Sequence, residues 1–407
     1  MSDTLAAEPN AVVTTSQAAT DAVQSGASRK LRWYSKLLVI GAALLVALLL
    51  GELITRIVMP MGADLAWKTM QPDSELYIVW KPDTQETRLT PWGNYEVKIN
   101  HQGLRIDHDV SPVKRSGAVR VAAMGDSFCF GSGVEVGDGM VKIIEDELKY
   151  SVDPGIELLN FGVGGYNMGQ NLLHFKRDAL PLGPDHVFVF YCFNDLESNR
   201  DPLYINPFAF EFKNGAVEMI QRPTGTRRQR LVFNSGPYIW LRQRSHLLAL
   251  LLKLMRSGDE KSTMLNPDMA AATEPPKQDQ DYDQLASDEI LRQFAKSADE
   301  HGVKLWVVFV PSEAEMHVDN PRYRKLCERN AALARQYGFE AIDPTRRMRE
   351  VWEQRGRPDI ALPDFHYNRI GNLLFGKTVA EMIRERWKPS DAADGRPKSE
   401  GGNSDPL

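Results

Sequence analysis

Four stretches of this chain are apolar almost without interruption: Val119–Met124, Ile156–Phe161, His186–Phe193 and Val303–Val310. Each is short enough for a strand, and none alternates with polar residues as a half-exposed strand would. Helical patterns separate them, at Met140–Leu148, Gln170–Leu180 and Ser287–His301. Further helices at Pro321–Tyr337 and Ile370–Trp387 flank a short fifth strand at Phe339–Ile342. Strands buried on both faces and alternating with helices predict an α/β domain, a parallel sheet covered by helices on both sides. The composition fits: of 407 residues, 43% are hydrophobic and 25% charged, the proportions of an ordinary globular chain.

The other constraint is Leu37–Gly51, a run without a single charge that continues past Glu52 and Arg56 to Met59. With both charges near an interface, where long side chains reach the headgroups, the segment is long enough for a transmembrane helix. A cleaved signal peptide is the competing reading, but the leading segment is long and no A-x-A-like site follows the run. A core helix would carry a polar face, and this run has none. Arg29, Lys30, Arg32 and Lys36 precede the run. The positive-inside rule then puts residues 1–34 in the cytoplasm and the bulk of the chain across the inner membrane, in the periplasm or its equivalent. That tail, rich in Ala, Ser, Thr, Asp and Gln, reads as disordered, as does the Ser-, Gly- and Pro-rich end.

The expected organisation is a disordered tail at 1–34, an anchor at 35–59, and a small β-rich lead-in at 60–118. The α/β domain follows at 119–388, with an insertion at 197–283, then a disordered tail at 389–407. Within the insertion, Tyr238–Arg256 (YIWLRQRSHLLALLLKLMR) reads as one amphipathic helix. It is either packed on the domain or lying on the membrane as a lid. The net charge of −5 builds no basic field for nucleic acid. Cys129, Cys192 and Cys327 are too few for a disulfide framework and form no zinc pattern.

Four short motifs fall at successive sheet-edge positions. Gly125-Asp126-Ser127-Phe128 follows the first strand, and a serine on such a turn presents its hydroxyl at the carboxyl edge of the sheet. Asn160-Phe161-Gly162-Val163-Gly164-Gly165 follows the second, with glycines that let backbone approach a ligand. Phe193-Asn194-Asp195 ends the third and aims a carboxamide at the same rim. Asp364-Phe365-His366 precedes the last helix and pairs a base with an orienting acid. His366 is the one histidine of eight set in such a loop. Each motif alone also reads as an ordinary turn or cap.

In that order, Ser, Gly, Asn and His, the chain resembles the SGNH (GDSL-type) hydrolase superfamily over roughly 119–196 and 284–386. The resemblance implies a three-layer, flavodoxin-like sandwich. It also implies Ser127 as nucleophile, His366 as general base, and an oxyanion hole from the Ser127 and Gly165 N–H groups and the Asn194 side chain. The Asn100-His101-Gln102-Gly103-Leu104-Arg105 run, Pro184-Asp185, and the Glu52–Arg56 pair resemble the bacterial membrane-anchored branch. Two departures stand out. Cys192 takes a position the family gives to glycine, and Pro363 stands where the family has its acid, leaving Asp364 to serve. That two-residue spacing is similar to O-acetyltransferases of exopolysaccharide export.

The function this implies is a serine ester hydrolase acting on O-acyl groups of envelope or exported glycans or lipids, with no metal or organic cofactor. An extracytoplasmic polysaccharide O-acyltransferase and a non-catalytic envelope assembly protein are the alternatives.

Overall fold

In a computed structural model, residues 13–59, 68–90, 92–192, 195, 208–213, 216–221, 235–256, 280–317 and 321–388 are described. The chain divides into two compact units, one of residues 1–64 with 245–251, the other of 65–244 with 252–407. Residues 1–12 and 389–407, read from sequence as disordered, lie outside the described residues.

The first unit is dominated by α1, Val13–Val58. Its segment Trp33–Val58 spans 26 residues with a mean hydropathy of 2.7 and is long and apolar enough to cross a membrane. The helix starts well before the apolar run, so residues 13–34, expected to be disordered, are helical. Ala and Gln are good helix formers, and extending an existing helix costs far less than nucleating one.

The second unit holds a five-stranded parallel sheet. Its strands are β5 (Val119–Met124), β6 (Ile156–Asn160), β7 (His186–Cys192), β10 (Lys304–Val310) and β11 (Glu340–Ile342). Their spatial order is β11-β10-β7-β5-β6, every pairing parallel. In order of appearance that is 2-1-3-4-5, the flavodoxin-like winding, which reverses direction between β5 and β7. Both faces are buried because successive side chains of one strand enter opposite layers. Val119, Val121 and Ala123 join one core, and Ala122 and Met124 the other. The first layer contains α3 (Met140–Ser151), the short α8 (Glu313–His317), α10 (Thr345–Gln354) and α11 (Arg369–Arg384). The second contains α4 (Met168–His174), α7 (Gln280–Glu300) and α9 (Pro321–Gln336). Charged, short α10 carried no apolar run and was not foreseen.

The lead-in is two antiparallel hairpins, β1 (Met70–Asp73) with β2 (Tyr77–Trp80) and β3 (Thr84–Thr90) with β4 (Gly93–Ile99). It packs onto the sheet domain through a third core, in which Trp80, Tyr95 and Val97 meet Phe130, Val163 and Tyr166. Trp80 stacks on Phe130 at 4.4 Å and donates its indole N–H to Gly162 O at 2.8 Å.

In the insertion, β8 (Phe208–Lys213) and β9 (Ala216–Gln221) form a hairpin. The single helix expected over Tyr238–Arg256 is two: α5 (Gly236–Arg242) and α6 (His246–Arg256). Ser245 breaks it. Its hydroxyl accepts the Leu248 N–H at 3.0 Å, the N-cap bond for which serine leaves a helix interior.

Candidate active site

The site sits at the carboxyl end of β5, beside the reversal of strand order between β5 and β7, where an open α/β sheet presents its ligands. Straight after β5 the chain turns into α2 (Ser127–Phe130), capped by Asp126, whose carboxylate accepts the Phe128 N–H at 2.9 Å. This places Ser127, half-buried, as the first residue of the helix. A first-turn N–H has no intrahelical acceptor. Among the described residues, neither the Ser127 nor the Gly165 N–H donates a hydrogen bond.

The glycine loop after β6 lies against this turn. A Cβ on Gly162 would come within 2.3 Å of Phe130 N and 2.7 Å of Cys129 C. Only a residue without a side chain permits that approach. Asn160 ties the two loops, accepting the Gly162 N–H at 2.9 Å and donating to Cys129 O at 3.0 Å. Gly165 adopts φ 82, in the region glycine enters without penalty.

His366 comes from the loop before α11. Its Nε2 lies 2.7 Å from Ser127 Oγ, and its Nδ1 lies 3.1 Å from Asp364 Oδ2. The second approach is close but poorly aligned for a hydrogen bond, as is common before substrate tightens a site. The two-residue spacing works because Phe365 takes φ 67. This left-handed residue folds the loop back, so Phe365 N–H bonds Leu362 O at 2.9 Å and Leu362 N–H bonds His366 O at 2.7 Å. The turn brings to the imidazole an acid one residue nearer in sequence than the common spacing. The imidazole is flanked by Phe365, stacked at 4.9 Å, and Phe128, at 5.2 Å. Neighbouring Tyr367 donates its hydroxyl to Pro311 O, and Asn372 takes the Met140 N–H at 3.0 Å. Together they fix the loop to the domain.

Of the residues singled out in sequence, Ser127, His366 and Asp364 are thus brought together, and Gly165 stands in the loop packed beside the serine helix. Asn194 lies outside the described residues. Its neighbour Asp195 is buried and accepts the Cys192 N–H at 2.6 Å. Burial, with the charge of Asp126, pushes the Asp195 carboxyl well above the usual carboxylate range. Two carboxyl groups sharing a dry site do not both ionise readily. Cys129 and Cys192 are buried free thiols. Cys192 bonds Asp126 through sulfur at 3.2 Å, so the cysteine in the glycine position packs beneath the serine turn. Burial pushes both thiols up, which keeps them out of nucleophilic chemistry. No group of three or more His, Cys, Asp or Glu suited to a metal occurs among the described residues.

Sequence reasoning named Arg105 within the Asn100–Arg105 run but gave it no place at the site. It is buried, and its guanidinium donates to Phe130 O at 2.6 Å, Gly131 O at 2.5 Å and Val134 O at 2.5 Å, the segment that leaves the serine helix. It also lies over the Phe130 ring at 4.3 Å. Burial draws the guanidinium down to about 10, so it stays charged at neutral pH. An arginine following a Gly-Leu turn gave no signal that it would be buried.

A serine hydroxyl on an imidazole, with a carboxylate behind, at the carboxyl edge of a parallel sheet is the apparatus of acyl transfer. The chain belongs to the GDSL-like lipase/acylhydrolase family, whose model matches residues 123–374. It is accordingly a carboxylic ester hydrolase. No curated protein matches the chain. Among solved structures, it is similar to a lipase/acylhydrolase from Enterococcus faecalis, at 13% identity and TM-score 0.37, covering 67% of this chain and 98% of that one. An acetyl xylan esterase is 15% identical at TM-score 0.38, covering 65% and 100%. A catalytic mutant of an acetylxylan esterase from Geobacillus stearothermophilus is 13% identical at TM-score 0.36, covering 67% and 96%.

Proposed function

We propose that the chain hydrolyses esters through an acyl-enzyme on Ser127. The observation that carries this reading is the 2.7 Å contact between Ser127 Oγ and His366 Nε2. The Ser127 proton passes to His366 Nε2 as Oγ bonds to the ester carbonyl carbon. The C–O bond to the alcohol then breaks, and the alcohol leaves with the proton from His366. Water, deprotonated by the same imidazole, attacks the acyl-enzyme, releases the acid and restores Ser127. Asp364 holds the tautomer with hydrogen on Nδ1 and stabilises the imidazolium. The oxyanion is received by the Ser127 and Gly165 N–H groups and the Asn194 carboxamide. No step requires a metal or organic cofactor.

The substrate class is argued from location. An apolar helix with arginines and lysines on its N-terminal flank favours a single-pass inner-membrane anchor with the hydrolase domain on the periplasmic side. The esters within reach there are O-acyl groups on envelope or exported glycans and lipids. The net charge gives no support to a nucleic-acid partner.

The test is turnover of p-nitrophenyl acetate by the full-length protein in detergent, with and without an acetylatable glycan. Ester hydrolysis lost in Ser127→Ala and in His366→Ala supports the reading. Turnover unchanged in Ser127→Ala refutes it. Product that forms only with the glycan acceptor, without free acetate, selects acyl transfer, the chemistry associated with the two-residue acid spacing.

A further inference from the structure

Glu52 interrupts the apolar helix, and a carboxylate there is costly unless it is satisfied. It is the twentieth residue of the span that starts at Trp33. At 1.5 Å per residue it stands roughly 30 Å along, the thickness of the hydrocarbon layer, hence at the far boundary of the bilayer. There its oxygens accept the Arg56 Nε–H at 2.7 Å and the Ser245 hydroxyl at 2.8 Å. They also accept the backbone N–H groups of His246 at 3.0 Å and Leu247 at 3.0 Å. The last three are the open N-terminus of α6, whose unsatisfied donors and dipole favour an anion. Glu52 therefore docks the start of α6 on the anchor at the membrane boundary.

The surface of α6 is unusual for a helix facing water. His246–Arg256 carries six leucines, and Leu251 is 48% and Leu254 60% exposed. Lys253 and Arg256 punctuate the same helix, and Arg242 and Arg244 precede it. Exposed leucines with interspersed cations are the composition of a helix lying in a lipid interface.

We infer that α6 is a second membrane-contacting element, an interfacial helix. It starts on Glu52 and buries Leu251 and Leu254 among lipid acyl chains. The inference rests on α1 crossing the membrane and is independent of the chemistry assigned to Ser127. It gives the insertion a task, since the chain is then attached to the bilayer at two places rather than one.

The experiment uses the full-length protein in vesicles of phosphatidylcholine and phosphatidylglycerol. The native thiols are buried, so single cysteines introduced as Leu251→Cys or Leu254→Cys take an environment-sensitive NBD label selectively. Tyr150→Cys, at a site 91% exposed, is the aqueous reference, and Leu45→Cys in the anchor is the lipid reference. The expected result is a blue-shifted Leu251 or Leu254 label, quenched by a nitroxide near the top of the acyl chain and protected from iodide. In Glu52→Ala, iodide access at Leu251 should rise. Quenching by iodide as strong as at Tyr150, without lipid quenching, overturns the inference. Protection from both quenchers also overturns it, since protein then covers the helix. A Leu45 label outside lipid removes the anchor, and the inference with it.

Discussion

Arg105 offers a sharp test of how the serine is held. Methionine at this position keeps much of the volume and removes the charge. It strands carbonyls of Phe130 and Val134 that Arg105 bonds at 2.6 and 2.5 Å, and weakens the satisfaction of Gly131 O, which retains only the Val134 N–H at 3.4 Å. Each stranded buried acceptor costs about 1–3 kcal/mol. Part of that is offset, because the buried guanidinium no longer has to be stripped of water. The net is a loss of about 2–4 kcal/mol, a drop in Tm of roughly 3–7 °C for a domain this size. Activity should fall further than folding. The serine helix is only four residues long, and Arg105 is the clamp on its exit. A displacement of about 1 Å at a reacting atom costs about 100-fold in rate. Arg105→Lys keeps the charge but lacks the planar fork that bonds several carbonyls at once, so its kcat should fall between wild type and Arg105→Met, with KM little changed. Thermal unfolding and p-nitrophenyl acetate kinetics below the transition measure both effects. An Arg105→Met protein with native Tm and native kcat refutes the clamp.

The geometry dictates three further outcomes. Asp364→Asn removes the carboxylate 3.1 Å from His366 Nδ1; kcat should drop by about 100-fold, less than for a fully buried, well-aligned triad acid, with KM nearly constant in steady-state kinetics. Gly162→Ala should destabilise the fold and abolish turnover, because its Cβ meets the Phe130 backbone at 2.3 Å; a protein with native melting and turnover contradicts the packing. Burial draws the His174 imidazole from 6.5 down to about 4, against the pull of Asp178. As pH falls from 6.5 toward 4 the unfolded chain takes up a proton that the folded one refuses, so up to about 3 kcal/mol of stability is lost across that window. Urea midpoints at pH 7.5 and 4.5 should show a smaller acid loss in His174→Phe than in wild type.

The sheet was legible because strands buried on both faces announce themselves as unbroken apolar runs, and the Ser and Gly motifs fall at the ends of β5 and β6. What was not legible depends on contacts between segments far apart in sequence. The lead-in reads as loosely β-rich, yet Trp80 bonds Gly162, 82 residues away, and so walls the serine turn. The turn at Phe365 could not be read either, since a phenylalanine gives no sign of a left-handed backbone. That one residue is why an acid two positions before His366 reaches Nδ1. The Leu-rich insertion reads as one helix by periodicity alone. Ser245 splits it because its hydroxyl, bonded to Glu52 of α1, is worth more as a cap than inside a helix.

The central claim is that Ser127 is a nucleophile activated by His366. The most direct measurement is covalent labelling of the full-length protein with a fluorophosphonate, followed by peptide mass spectrometry. The account predicts one adduct, on Ser127, formed slowly in His366→Ala and absent in Ser127→Ala. An unlabelled wild-type protein, or an adduct on another residue that persists in Ser127→Ala, would contradict it.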